Sequence, residues 1–188
     1  MKKKTVIKKI NYGVIKENNI DMLKKDDAIK EGASLLKRGE VVAFPTETVY
    51  GLGADATDQS AVKKIFKAKG RPQDNPLIVH IASEKQLNSV IKGQIPQIAR
   101  KLITAFWPGP LTIIFNKSSV IPDETTAGLK TVAVRMPEHP VARALIQAAA
   151  LPLAAPSANS SGFPSPTRAG HVYDDLKKKI PYILDGGP

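Results

Sequence analysis

The chain has 188 residues and 20.3 kDa, with 42% hydrophobic side chains, enough for one cored domain and too many for wholesale disorder. Twenty-eight Lys and Arg stand against 17 Asp and Glu, a formal charge of +11 that favours encounters with phosphate-bearing partners without specifying any. Cysteine is absent, which excludes a disulfide framework, a thiolate metal centre and a cysteine nucleophile together, and leaves oxygen-ligated ions such as Mg²⁺.

The first nine residues hold five lysines and no acid, with no apolar run behind them that would make a secretory signal, so a cytoplasmic location is expected. The most apolar stretch, Ala148 to Pro156, is far short of the roughly 18 residues that span a bilayer, so no membrane partner is expected. Aromatic residues make up 5% and lack the spacing of a base-stacking platform, so RNA contact would rest on charge and shape.

Thr5 to Ile10 predicts a strand after an N-terminal arm, the two filling residues 1–25. Asp26 caps a helix carrying Ile29, Ala33 and Leu36 on one face, ended by Gly39. Val41 to Pro45 reads as a buried strand, followed by a loop rich in Thr and Gly. Asp58 caps a second helix with Val62, Ile65 and Phe66 apolar, and Gly70 supplies its left-handed stop. Leu77 to Ile81 predicts a strand, then helices follow over Glu84 to Ile91 and Pro96 to Phe106, before Trp107-Pro108-Gly109-Pro110 breaks the chain. Leu111 to Phe115 and Thr131 to Arg135 predict strands joined without a helix; a helix runs from Pro140 to Ala150, and Leu153 to Ala155 is a short strand. A loop over Pro156 to Pro166, a helix capped by Thr167 and a strand over Tyr182 to Leu184 complete one α/β domain, residues 1–188, with a mixed sheet.

Four segments carry candidate chemistry. Pro45 to Gly53 follows a buried strand, where loops of α/β sheets face ligands. Its Gly51-x-Gly53-x-x-Ala56 is not a dinucleotide fingerprint, because six residues from Pro45 on precede Gly51 and the helix cap comes only at Asp58. In Lys67 to Pro72, Arg71 lies past the glycine stop, free to offer a planar fork to phosphate with Lys69 beside it; both could equally offset the helix dipole. His80 ends the next strand, where a satisfied structural histidine is the commoner case. Arg135 ends an apolar strand, as half of a buried ion pair or as a clamp for a carboxylate. Ala155 to Thr167 is rich in small hydroxyl and amide groups that can surround a phosphate, or simply form a loop.

Taken in order, PTETVYGLG, KAKGRP, NPLIVHIA, WPGPLT, TVAVRMPEHP and APSANSSGFPSPT resemble the YrdC family of threonylcarbamoyl-adenylate synthases over about Glu40 to Pro188, including the paired signature Lys69-x-Arg71 and Ser157-x-Asn159. The resemblance implies an open α/β fold, a YrdC-like domain whose twisted mixed sheet carries helices on its faces around a basic concave cleft. It also implies synthesis of threonylcarbamoyl-AMP and pyrophosphate from L-threonine, bicarbonate and ATP, with Mg²⁺ bridging the phosphates. A partner threonylcarbamoyl transferase then modifies the adenosine beside the tRNA anticodon. By the same resemblance Thr48, His80, Arg135 and the backbone of Ala155 match threonine-site positions. Arg71, Asn75, Thr131, Ser157 and Ser165 match ATP-site positions, with Lys69 and Asn159 beside the phosphates and Lys69 and Arg71 as the catalytic cations. The family pattern continues past Asp185-Gly186-Gly187-Pro188, so the chain is expected to be part of a longer protein. Two alternatives differ in class: an RNA- or nucleotide-binding module of this fold without synthase activity, and a carbamoyl-adenylate domain of the hydrogenase-maturation type, against which the absence of cysteine counts.

Overall fold

The computed structural model describes residues 4–188. The N-terminal strand β1 (Val6–Lys9) leads into two short helices, α1 (Tyr12–Lys16) and α2 (Ile20–Leu23), each begun by an asparagine whose side chain accepts a backbone N–H. Asp26 caps α3 (Asp27–Lys37) by accepting from Ala28 N at 2.8 Å, and Asp58 caps α4 (Gln59–Lys69) by accepting from Ser60 N at 2.8 Å, as the sequence predicts. Gly70 closes α4 at φ +61°, a left-handed conformation that a side chain would strain.

Between α3 and α4 lie β2 (Val42–Phe44) and β3 (Gly51–Asp55), an antiparallel pair. The second strand corrects the reading of this stretch as Thr/Gly loop. Gly51-Leu52-Gly53-Ala54 has none of the β-branched residues that announce a strand; it is extended because β2 and β7 (Leu153–Ala154) pair with it on either side. A Cβ on Gly53 would lie 2.7 Å from Cε1 of Phe44, so glycine is what lets the strand pass under that ring.

Next come β4 (Ile78–His80), α5 (Glu84–Val90), α6 (Gln97–Phe106) and β5 (Thr112–Asn116). The connection to β6 (Thr131–Arg135), expected to lack a helix, contains the one-turn helix α7 (Asp123–Thr126), too short to show periodicity and anchored by Thr125 Oγ1 donating to Ala56 O at 2.9 Å. The last elements are α8 (Pro140–Ala149), β7, α9 (Ala169–Leu176) and β8 (Tyr182–Asp185). Thr167 does not cap α9: Arg168 holds the cap position, one residue later, with no side-chain bond.

One eight-stranded sheet results, ordered β1-β8-β2-β3-β7-β4-β6-β5. It is mixed: β1/β8, β2/β8 and β4/β6 are parallel, while β2/β3, β3/β7, β4/β7 and β5/β6 are antiparallel. Register assigns side chains to faces, since directly paired residues point the same way. On one face Ala43, Leu52, Ala54, Val79, Val132, Val134 and Ile183 are buried with the apolar sides of α4, α5 and α9. On the other, Val42, Phe44, Tyr182 and Leu184 are buried under Leu36 of α3 and Val141 and Leu145 of α8. That second cover stops short of the β5 edge. Across β4, β6 and β5 the same face presents Ile78, His80, Thr131, Ala133, Arg135, Thr112, Ile114 and Asn116, and Ile114 is 68% exposed.

Candidate active site

The uncovered half of that face is floored by β4, β6 and β5, and two loops rise at its border. The first connects β2 to β3. Its turn is organised by Thr46, whose Oγ1 accepts from Thr48 N and Val49 N, each at 3.2 Å, and donates to Val49 O at 2.6 Å. This turn carries Glu47 and Thr48 to the end of β6. There Arg135 Nη2 donates to Glu47 Oε1 at 2.7 Å and to Thr48 Oγ1 at 3.2 Å, while Glu47 Oε2 accepts from His139 N at 3.4 Å. Arg135 is 8% exposed, and its Nε has no acceptor.

The ion-pair reading of Arg135 is realised, with Glu47 as its partner, and its Nε remains without an acceptor. Burial by itself would raise the Glu47 carboxyl, but the hydrogen bond from Arg135, with backbone N–H groups and the Arg135 charge, outweighs it and holds the carboxyl below its ordinary value. Glu47 is the residue that motif reasoning passed over. Its signal was there: a lone acid between two threonines, straight after a buried strand, in a chain poor in acids.

His80 stands in register beside Arg135 on the parallel β4/β6 pair, with the ring of Phe44 edge-on to its own at 6.3 Å. It is 4% exposed, and burial first, then the Arg135 charge, pulls it down to about 4, so it is neutral at pH 7. Its Nδ1 lies 3.3 Å from Ile78 O. Ala155 N donates to the same Ile78 O at 2.9 Å, which puts the residue after β7 beside His80. Thr48, His80, Arg135 and Ala155 therefore form one group.

The second loop, residues 156–166, is laced to the start of β3: Leu52 N donates to Pro156 O at 2.9 Å, Ala158 N to Tyr50 O at 2.8 Å and Tyr50 N to Pro166 O at 2.8 Å. Lys69, last residue of α4, is 3% exposed and donates from Nζ to Ser157 O, to Asn159 O at 2.6 Å and to Asn159 Oδ1 at 3.4 Å. Burial and the neighbouring charge of Arg71 lower its ammonium to about 8, with Asp175 opposing. Arg71 is half-buried; burial pulls its guanidinium below the ordinary value against the pull of Asp74. The side chains of Arg71, Asn75, Thr131, Ser157 and Ser165 make no hydrogen bond among the described residues. Lys69, Ser157 and Asn159 are joined by hydrogen bonds; Asn75, Thr131 and Ser165 share none with them, Thr131 lying at the far end of β6 from Arg135.

Among the described residues no group of three His, Asp or Glu could hold a metal ion, and no helix is long and apolar enough to cross a membrane. The arrangement offers one buried cation partly spent on a carboxylate, a neutral histidine, a guanidinium whose Nε has no acceptor, and a loop whose Ser157 and Ser165 hydroxyls make no hydrogen bond.

The family model Sua5_yciO_yrdC, described as telomere recombination, matches residues 34–188. A threonylcarbamoyl-AMP synthase of Bacillus subtilis is 58% identical over 164 residues, which are 87% of this chain and 47% of that protein. The threonylcarbamoyl-AMP synthase of Shigella boydii is 35% identical over 159 residues, 84% of each chain. The crystal structure of Pyrococcus abyssi Sua5 complexed with L-threonine superposes with a TM-score of 0.83 at 51% identity, covering 98% of this chain and 50% of that one. The chain spans about half the length of the Bacillus and Pyrococcus relatives it matches. With the model match covering most of the chain and the sheet superposing on that solved structure, the chain belongs to the Sua5/YciO/YrdC family.

Proposed function

We propose that the open face carries out threonylcarbamoyl-AMP synthesis. The amine of L-threonine takes up bicarbonate as a carbamate, with loss of water. A carbamate oxygen then attacks the α-phosphorus of ATP, the bond to the β-phosphate oxygen breaks, and pyrophosphate leaves. The observation that carries this reading is the group Thr48–Arg135–His80, a buried cation with an unspent donor beside a hydroxyl and a neutral imidazole, in a chain 51% identical to a protein solved with L-threonine.

Arg135 supplies the charge for the amino-acid carboxylate, and Thr48 and His80 supply polar partners for the rest of it; a ligand lacking the matching group would leave them desolvated and unpaired. The carbamate is already an anion, so its attack on phosphorus calls for alignment and charge screening rather than a strong base. Arg71, with Asn75, Thr131, Ser157 and Ser165 unengaged, suits the nucleotide. Mg²⁺ would come with the ATP phosphates, since no side-chain cluster among the described residues could hold it alone. In the cytoplasm the adenylate would pass to a partner transferase for modification of the adenosine beside the tRNA anticodon.

The test is pyrophosphate release from ATP and bicarbonate with L-threonine, L-serine or no amino acid, in the parent and in Arg135→Ala. Threonine-dependent release, reduced by roughly ten- to a hundredfold in the variant as expected for a lost charged hydrogen bond, is the outcome that supports the reading. ATP or RNA binding with no release under any condition would instead favour the binding module.

A further inference from the structure

An ammonium in the half of the site that suits ATP would ordinarily be counted as a phosphate ligand. The contacts of Lys69 point elsewhere. Its Nζ is directed at Ser157 O, Asn159 O and Asn159 Oδ1, and its own carbonyl accepts from Ser161 N at 2.9 Å. A lysine has three N–H donors, and here three oxygens of one loop take them. Asn159 passes the restraint on, its Nδ2 donating to Ser160 O at 2.9 Å and to Phe163 O at 2.7 Å. Asp175 holds the same segment from α9, accepting from Ser160 N at 3.1 Å. Arg71, two residues later, differs in each respect: it is half-buried and has no acceptor.

Resting on the nucleotide reading of this loop, we infer that Lys69 is a positioning residue, which promotes nucleotide binding by holding segment 157–163 in shape rather than by contacting phosphate. Without the ammonium, two backbone carbonyls and an amide oxygen lose a charged donor in a buried place, and the segment relaxes to find others. The loop ends, laced to β3, stay put; the middle loses its anchor.

Two measurements on Lys69→Met and Lys69→Arg decide it: amide exchange of the ligand-free protein, and affinity for ATP and for adenosine, which has no phosphate. A positioning role makes exchange in Lys69→Met faster over 159–163, with β8 and α9 unchanged, and weakens ATP and adenosine by the same factor of about ten, the size expected for one net charged hydrogen bond. Lys69→Arg, which restores charge but not a compact three-donor head, does not rescue either. Unchanged exchange, a loss confined to ATP, or rescue of ATP affinity by arginine would each overturn the inference. Should a Lys69 variant fail to fold, Asn159→Ala, which keeps the cation and removes one acceptor, is expected to give the same local exchange pattern, and unchanged exchange there counts against it. A parent chain that bound neither ATP nor adenosine would defeat the nucleotide reading alone, since exchange would still show whether Lys69 holds the segment.

Discussion

One face of the sheet is built in two ways. Over β8 and β2 it carries Tyr182, Leu184, Val42 and Phe44, all covered by α3 and α8. Over β4, β6 and β5 the same face carries Ile78, His80, Thr131, Ala133, Arg135, Thr112 and Ile114, none of which joins the apolar cluster under α3 and α8. The covered half stores stability through apolar area removed from water, whereas the other half holds a buried cation and a buried imidazole at the border of an uncovered floor. The two meet at Phe44, whose ring is buried in the covered half and edge-on to His80 in the open one. Rigidity on one side thereby positions chemistry on the other.

The largest expected effect breaks the covered half. Leu145→Ala, at a fully buried site against α3, should cost about 3 kcal/mol in urea unfolding and leave the floor of the open half intact. Nearly as large is the effect of pH on the open half. Folded His80 refuses a proton until about pH 4, whereas in the unfolded chain it takes one up near 6.5. The stability that His80 contributes is therefore complete above pH 6.5 and is lost as pH falls toward 4, up to about 3 kcal/mol. Unfolding measured at pH 7 and pH 4.5 should show a smaller difference in His80→Gln than in the parent; equal slopes would contradict a buried neutral histidine. At the border, Gly53→Ala brings a methyl within 2.7 Å of the Phe44 ring and should cost about 2 kcal/mol while disturbing His80, seen as a shifted imidazole NMR signal. The smallest effect sharpens the contrast: Ile114→Ala, 68% exposed on the open floor, should change stability by no more than about 0.5 kcal/mol.

Much of this was legible in residue order. Asp26, Asp58 and Gly70 marked helix ends because a cap is settled within three residues of itself. Runs such as Val132-Ala133-Val134 announced strands, and the motif series placed Thr48, His80, Arg135, Lys69 and Ser157 in the candidate site before any geometry. The short helix α7 was not legible, since four residues show no period.

What only the tertiary structure decided involves partners distant in sequence. Strand β3 is extended because β2 and β7 flank it, against the preference of its glycines. Glu47 and Arg135 are 88 residues apart, as are Lys69 and Ser157, so no local pattern could pair them. Nor could composition reveal that α3 and α8 stop short of β4, β6 and β5, leaving half a face open. Local order carries caps, periods and motifs because their interactions span a few residues; pairing of buried charges and the extent of a helix layer depend on chain segments that meet only when the sheet is assembled.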